Sequence, residues 1–414
     1  MMSDRLLNLV DSYSKWVLEV LSKLVSVPTV NPPGENFKEF VDCAESILKD
    51  LGMDVRIYEV PKNEVAKYYP DYAEYPRYIL IAKAGSSEPV IHFNGHYDVV
   101  PPGSGWDRDP FKPVVDGDRF YGRGAVDMKG GIAAAILAVR AFTEVFKDFR
   151  GSIEVALVPD EEIGGRTGTG YLVEKGLSRP NYVIIGEPSS IDKVWIGHKG
   201  AVWAYIEVYG KQAHGSSPWL GINAFEYMVK VAQEFMKRYI KSLEGRVSKY
   251  EYDDPRGAKP TVTLGGEVRG STKVNIVPGY YAFSIDRRLI VEENPDQVEE
   301  ELKEFVESLQ KEFPNVKLNL KLISKLLPSA TSPDSKLVRV ASSAAQEVLG
   351  RKPKTTVCVG GLDSHYYSSK GIEVITYGPG PTTNAHMANE YVSVSELLSM
   401  AKIYATIMRK LLTA

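Results

Sequence analysis

Short runs of consecutive apolar residues alternate with helical segments in the first half of the chain, and this pattern constrains the fold most. The apolar runs cover residues 78–84, 90–93, 153–158 and 182–185. Helical apolar spacing covers residues 14–25, 36–51 and the Ala-rich segment 132–146. Strands that are apolar throughout are typical of a sheet covered by helices on both faces. The pattern therefore predicts an α/β domain.

The pattern changes near Lys199. Residues 202–209 and 280–291 alternate as half-buried antiparallel strands do, and long amphipathic helices are predicted at 222–243 and 294–312. The α/β pattern returns toward the C-terminus, with helices predicted at 334–349 and 394–412 and a strand at 373–376. A chain of 414 residues exceeds what one hydrophobic core usually holds. We therefore expect an α/β domain over 1–198 and 325–414, with an α+β domain inserted at 199–324 and a mobile loop at 253–259.

Charge and cysteine content argue against a nucleic-acid-binding protein and against a disulfide-rich secreted protein. The formal net charge of -3 gives no reason to expect nucleic acid or an anionic membrane as a partner. The two cysteines, Cys43 and Cys358, are too few for a disulfide framework and fit a reducing compartment. We identify no signal peptide at the N-terminus and no apolar run near the ~20 residues of a membrane span. The expectation is a soluble, cytoplasmic protein.

Polar residues that follow the apolar runs are candidates for a site, because ligands bind at the carboxyl edge of such sheets. In HFNGHYDVVPPG, His96 and Asp98 are two apart, so in an extended segment they face the same side. A carboxylate at this spacing can hold one nitrogen of a metal-bound imidazole. Taken alone, the two residues could equally be a surface His–Asp pair.

Three more segments carry carboxylates. Asp127, in YGRGAVDMKGG, precedes an Ala-rich helix and alone would be interpreted as its N-cap. In VALVPDEEIGG, a strand runs straight into Glu161 and Glu162, which repel each other unless cations or separate roles stabilise both. On a solvated loop this pair would carry no meaning, but at the end of a buried strand it suggests one metal ligand and one proton-handling group. Glu187 ends a further strand in VIIGEPSS.

Together with His386, which lies in the polar segment PTTNAHMANEYV, these residues could bind two divalent ions. One ion would be bound by His96, Asp127 and Glu187, and the other by Asp127, Glu162 and His386. Two divalent ions carry a formal charge of +4 and the three carboxylates carry -3. The remaining +1 would be neutralised by a bridging hydroxide. Mixed imidazole and carboxylate ligands suit zinc, or cobalt, better than magnesium. Glu161 would then be the base for a metal-activated water.

The motifs GHYDVVP, GRGAVDMKGG, PDEEIGG, GEPS, KQAHGSSPWLGINA and AHMANEYV resemble the M20 family of zinc peptidases and deacylases. Within it, the chain is most similar to the acetylornithine deacetylase and succinyl-diaminopimelate desuccinylase branch, over nearly its whole length. The resemblance implies a zinc-peptidase-like α/β/α catalytic domain with a mixed sheet. It also implies an inserted ferredoxin-like domain for lid closure and dimerisation. The cofactors would be two zinc ions per subunit, and the bond Asp127–Met128 would be cis.

Further roles follow only from this resemblance. His214 matches a lid histidine that reaches the active site of the partner subunit, which implies a homodimer, and Asn275 matches the asparagine that accompanies it. Arg288 matches an arginine that could hold a substrate carboxylate, with Arg287 as the alternative. Asp98 would clamp the ring of His96.

The segment GGLDSHYY departs from the family pattern. Many relatives carry an arginine where this chain has His365, so a substrate tail would be held by His365 or would differ in kind. Gly361 would let the backbone approach a ligand closely. The expected substrate is an N-acyl amino acid of the acetyl or succinyl type, and the alternative is a short peptide cleaved by a dipeptidase or carboxypeptidase. The glutamate at position 187 favours a deacylase or a carboxypeptidase, since aminopeptidases of the family often have an aspartate there.

Overall fold

The computed structural model describes residues 2–413. Its α-helices are α1 (Met2–Ser12), α2 (Ser14–Ser26), α3 (Phe37–Asp50), α4 (Lys62–Tyr68), α5 (Gly130–Val145), α6 (Thr169–Glu174), α7 (Ala224–Glu234), α8 (Pro295–Glu312), α9 (Lys336–Leu349), α10 (Ser364–Ser368) and α11 (Val394–Leu412). No helix within this described range is long and apolar enough to cross a membrane.

The strands follow the same chain order. They are β1 (Asp54–Val60), β2 (Arg77–Gly85), β3 (Val90–His96), β4 (Val114–Asp116), β5 (Arg119–Tyr121), β6 (Ser152–Val158), β7 (Tyr182–Ile185), β8 (Lys193–His198), β9 (Gly200–Tyr209), β10 (Ala213–His214), β11 (Thr261–Arg269), β12 (Ile276–Val277), β13 (Tyr280–Leu289), β14 (Lys317–Leu326), β15 (Ser329–Ala330), β16 (Lys354–Cys358), β17 (Glu373–Thr376) and β18 (Tyr391–Ser393). The apolar runs of the sequence thus form the predicted strands, with β3 extending to His96.

The chain divides into two compact units. The first comprises 1–197, 331–356 and 362–414, and the second comprises 198–330 and 357–361. The two predicted domains, 1–198 with 325–414 and 199–324, differ from these units by a few residues at the junctions and by the short segment 357–361. Their roles as catalytic and lid domains stay predictions.

The first unit is built on a mixed sheet with the strand order β1-β2-β6-β3-β7-β17-β8. Strands β6, β3, β7 and β17 run parallel to one another, whereas β1, β2 and β8 pair antiparallel to their neighbours. Every residue of β3 and β6 is buried, as expected for the centre of a sheet covered on both faces.

Two adjacent residues of β3 show which helices provide that cover. The ring of Phe93 lies 5.1 Å from that of Tyr404 on α11, and Asn94 Nδ2 donates to Tyr367 Oη on α10 at 2.8 Å. Successive side chains of a strand point to opposite faces, so α11 and α10 lie on opposite sides of the sheet. This layering confirms the predicted α/β/α fold class.

The carboxyl ends of the parallel strands meet at one edge of the sheet. His96 is the last residue of β3 and pairs with Val158, the last residue of β6, so the Glu161 segment begins beside it. Asn94 pairs with Ile185, the last residue of β7, which places the Glu187 segment on the other side of β3. The fold therefore brings three of the chemistry-bearing segments to one edge.

The second unit contains an antiparallel sheet with the order β11-β13-β9-β14, on which α7 and α8 pack. Its core is formed by the alternate residues of β9, such as Ile206 and Val208, with Val231 of α7 and Leu302 of α8. This is the α+β architecture that the alternating strands and amphipathic helices predicted.

The segment 253–259, expected to be a mobile loop, contains a short 3-10 helix, Pro255–Ala258. The ammonium of Lys199, which is 3% exposed, donates to the carbonyl oxygens of Gly257 at 3.0 Å and Lys259 at 2.6 Å. A buried lysine from a distant part of the chain holds this segment, and no local sequence signal reveals such a contact.

Candidate metal centre

The carboxylate of Asp127 lies between two histidines. Its Oδ1 is 3.1 Å from His96 Nε2, and its Oδ2 is 3.1 Å from His386 Nε2. His96 comes from the end of β3, and His386 from the loop before β18 and α11. One carboxylate therefore faces imidazoles from two distant parts of the chain.

Each imidazole also contacts a glutamate. His96 Nε2 is 3.3 Å from Glu187 Oε1, and His386 Nε2 is 3.2 Å from Glu162 Oε1. Donor atoms of His96, Asp127 and Glu162 lie within 4.8 Å of one another, as do those of His96, Glu161 and Glu187. The structure thus brings the five predicted ligands together and adds a Glu161 oxygen to the same cluster.

Asp127 lies in the kinked segment Ala125–Lys129, just before α5, and its own backbone is not helical, with φ -119° and ψ 91°. The bond Asp127–Met128 is cis, as the family resemblance led us to expect. Lys129 occupies the N-cap position of α5, so Asp127 does not cap this helix. Its carboxylate faces the two histidines instead.

Asp98 contacts His96 mainly through its backbone. The ring Nδ1 is 2.9 Å from the carbonyl oxygen of Asp98, whereas the nearest carboxylate oxygen is 3.5 Å away. The Asp98 carboxylate accepts the backbone N–H groups of Glu161 at 3.2 Å and Glu162 at 3.3 Å. The closer contact with the His96 ring is thus the carbonyl oxygen of Asp98 and not its carboxylate, which fixes the Glu161–Glu162 segment. The role of Asp98 as a clamp on the ring stays a prediction.

Sequence reasoning missed the residues that support this segment. Asn31 Nδ2 donates to Asp98 Oδ2 at 2.8 Å and to Asp160 Oδ1 at 2.9 Å. Arg77, which is fully buried, pairs with Asp160 at 3.0 Å, and Asp160 itself adopts a left-handed φ of 68°. The one available signal was an acidic residue directly before the Glu161–Glu162 pair.

The two histidines of the cluster are strongly basic. Hydrogen bonds that His386 donates to Asp127 and Glu162 raise the pKa of His386 to about 10. Burial opposes a charge on His96, but Glu187 and Asp127 outweigh it and hold its pKa well above the usual value. Burial likewise opposes a charge on Asp127, yet its contacts with His386 and His96 lower the pKa of this carboxyl.

In contrast to Asp127, the glutamates of the cluster have raised pKa values. Burial, followed by the charge of Asp127, raises the pKa of Glu187 to about 8 even though His96 opposes the shift. Burial and Glu187 raise the pKa of Glu161 well above its usual value, and burial and Asp127 raise that of Glu162. Buried carboxyls this close together have an excess of negative charge for which divalent cations are suited. The mixed imidazole and carboxylate donors also fit such ions.

His365 lies in α10 of the first unit and is 7% exposed. Its Nδ1 is 2.8 Å from the carbonyl oxygen of Leu362, and its ring contacts that of Tyr366 with the ring centres 3.9 Å apart and the planes tilted by 37°. Burial lowers the pKa of His365 to about 4, so its imidazole is neutral at pH 7.

The other predicted site residues, His214, Asn275, Arg288 and Gly361, belong to the second unit. His214 and Asn275 come from adjoining segments, since His214 pairs with Ile276 and the N–H of Gly215 donates to the Asn275 carbonyl at 2.8 Å. Their predicted action on the cluster stays a prediction.

The two candidate arginines of the second unit have different surroundings. Arg287 is fully buried and forms a two-pronged ion pair with Glu293. Arg288 is partly exposed and donates to Asp286 at 2.8 and 3.1 Å.

Solved structures share this fold along nearly the whole chain. The dipeptidase Dug1p of Saccharomyces cerevisiae matches with a TM-score of 0.76 at 17% identity, covering 98% of each chain. The YXEP protein of Bacillus subtilis, described as a dinuclear metal-binding peptidase of family M20, matches with a TM-score of 0.69 at 16% identity, covering 97% of this chain and 99% of that one. The chain therefore shares its fold with these two peptidases.

Sequence comparison gives the family. The model of peptidase family M20/M25/M40 matches residues 92–410. A succinyl-diaminopimelate desuccinylase of Nitratiruptor sp. is 30% identical over 402 residues, which cover 95% of this chain and 99% of that protein. The chain belongs to peptidase family M20 and is a hydrolase, which confirms the resemblance found in its motifs.

Proposed function

We propose that this hydrolase cleaves the amide bond of an N-acyl amino acid, with two divalent ions, zinc or cobalt, as cofactors. The observation that carries the proposal is the placement of Asp127, which offers one carboxylate oxygen to each of two histidines, each paired with its own glutamate. The name of the Nitratiruptor relative, a desuccinylase, supports an acyl-amino-acid substrate.

In this proposal His96 and Glu187 would hold one ion, His386 and Glu162 would hold the other, and Asp127 would be shared by both. Bound there, the ions would lower the pKa of a water molecule and polarise the substrate carbonyl. The donor set supports zinc or cobalt over magnesium, because imidazole is a poor ligand for magnesium.

Glu161 is the proposed general base. Burial and the neighbouring Glu187 raise the pKa of its carboxyl, so that it can hold a proton between two steps of a reaction. It takes a proton from the attacking water and returns it to the nitrogen of the leaving amine. Asp98 acts on this step indirectly, since it holds the backbone N–H of Glu161.

Residues of the second unit complete the proposal through the family resemblance. The unit acts as a lid and dimerisation domain, and His214 donates to the oxyanion of the partner subunit's substrate, with Asn275 beside it. Arg288 receives the substrate carboxylate, in preference to Arg287, whose guanidinium is buried against Glu293. Gly361 would line the same substrate site.

A second candidate function is that of a dipeptidase or carboxypeptidase. The observation in its favour is the neutral ring of His365, which carries no positive charge to pair with a carboxylate on the substrate tail. A succinyl group carries such a carboxylate on the acyl side of the cleaved bond. An acetyl group does not, and neither does the N-terminal residue of a dipeptide with neutral side chains. The fold likeness to the dipeptidase Dug1p is compatible with this interpretation.

The test is hydrolysis of a substrate panel by the purified chain supplied with zinc or cobalt. The panel pairs N-acetyl and N-succinyl derivatives of one amino acid with dipeptides of the same residue. Turnover of an acyl derivative well above that of the dipeptides supports the first function, and the reverse supports the second. If no amide in the panel is hydrolysed faster than by an Asp127→Asn variant, both functions are excluded for these substrates.

A further inference from the structure

Arg123 and Glu390 form a buried ion pair beside the cluster. Both side chains are 1% exposed, and Arg123 Nη1 contacts Glu390 Oε2 directly. Burying two charges costs several kcal/mol of desolvation per ion, and apolar residues of similar volume often stabilise a fold as well. Because such a buried pair adds little net stability, its presence here suggests another role.

The second oxygen of Glu390 holds the backbone around Asp127. Its Oε1 accepts hydrogen bonds from the N–H of Val126 at 3.0 Å and from the N–H of Asp127 at 3.2 Å. The carbonyl oxygen of Glu390 also accepts from the N–H of Gly122 at 3.0 Å. Glu390, which follows His386 by four residues in sequence, therefore fixes the position of Asp127 through the main chain.

The guanidinium of Arg123 reaches two further segments. Its Nη2 donates to the carbonyl oxygens of Pro102 at 3.1 Å and His386 at 3.4 Å. The Pro102 oxygen also accepts from Trp106 Nε1 at 2.7 Å, and the Trp106 ring lies 5.2 Å from the guanidinium carbon. Arg123 thus joins the segment after Asp98 to the backbone of His386.

We infer that the Arg123–Glu390 pair is a positioning element that sets the spacing between Asp127 and His386 for metal binding. The contacts described run to the backbone of these two residues, so the pair acts on the ligands without contacting the ion. Ligands must be held within about 0.5 Å of a productive geometry, and partners that orient them are worth about 10–100-fold in metal affinity. The inference rests on the proposed function, because it requires the cluster to bind metal.

The test is a Co²⁺ titration of chelator-treated protein, with affinity measured by competition against a chromophoric chelator. The variant Arg123→Met with Glu390→Gln removes both charges, leaves no unpaired buried ion and keeps an oxygen that can accept from Asp127. We expect Co²⁺ to bind about 10–100-fold more weakly at one site at least, because His386 has lost its link to the pair. Visible absorption of the bound Co²⁺ reports any change in its coordination.

The matched control is Arg287→Met with Glu293→Gln, which removes another buried ion pair, in the second unit. It should change the free energy of unfolding but leave Co²⁺ affinity unaltered. The inference is overturned if the Arg123/Glu390 variant binds Co²⁺ within about twofold of the wild type, or if the control loses affinity equally.

Should the double variant fail to fold by circular dichroism, Arg123→Lys replaces it. A lysine keeps the charge pair but cannot reach Glu390 and both carbonyl oxygens at once, so weaker Co²⁺ binding is again expected and unchanged binding contradicts the inference. A wild-type protein that binds no Co²⁺ refutes the proposed function itself, and the inference with it. The two failures are therefore distinguishable.

Discussion

Oδ1 of Asp98 accepts a hydrogen bond from the backbone N–H of Glu161 at 3.2 Å. Its Oδ2 accepts the N–H of Glu162 at 3.3 Å, and its backbone carbonyl faces the ring of His96. One aspartate thus sets the relative positions of a proposed base and two proposed ligands.

The variant Asp98→Asn tests this relationship. An amide keeps one acceptor oxygen but turns an NH2 group toward a backbone N–H that then has no acceptor. We expect kcat to fall about 10–100-fold and the free energy of unfolding to fall by about 1–3 kcal/mol. Asp116→Asn, an exposed aspartate on β4, is the matched control and should have wild-type kcat. Equal kcat for both variants would show that Asp98 is dispensable.

Glu161→Gln tests the general base. The amide retains the size of the side chain but cannot take up a proton, so kcat should fall by about 10²–10⁴-fold or more. Bound metal, measured by elemental analysis after dialysis, should be unchanged. Near-normal turnover would reject the role of Glu161 as base, and loss of metal would reassign it as a ligand.

Mixed dimers test whether His214 acts on the partner subunit. His214→Ala and Glu161→Gln should each be nearly inactive as homodimers. In a mixed dimer, the site with an intact Glu161 would receive His214 from the other subunit. Dissociating and reassociating the two variants in equal amounts should restore about a quarter of wild-type activity. No recovery, although mixed dimers are detected by mass, would contradict action between subunits.

The buried ring of His365 predicts a pH-dependent stability. Burial lowers its pKa from 6.5 to about 4, so the folded state binds fewer protons than the unfolded state between these values. The associated stability is complete above about pH 6.5 and is lost as the pH falls toward 4, by about 3 kcal/mol in all. Urea unfolding of the metal-free protein at several pH values should show a smaller loss for His365→Gln. Parallel losses in both proteins would contradict the buried, neutral state.

Most of the fold could be predicted because the strands of the first unit are apolar without interruption. Strand β7 has the predicted bounds, and β3 differs only because it continues through the polar residues Asn94 to His96. Polar residues inside a strand resemble a loop in sequence, and only tertiary partners such as Tyr367 show that Asn94 is buried.

The members of the cluster could be named from sequence because each follows a strand or precedes a helix at the same edge of the sheet. The residues that support them could not be named in this way. Arg77 and Asp160 are 83 residues apart, and Arg123 and Glu390 are 267 apart, so no local pattern links the partners. Such ion pairs form only after the strands have brought distant segments together.

Asp127 is proposed to lie between two metal ions. The most direct measurement is the number of zinc ions that remain on each wild-type chain after the metal-free protein is loaded with zinc and dialysed. We expect about two per chain, since the five donor residues form two sets that share Asp127. A value of about one or fewer would contradict the two-metal centre.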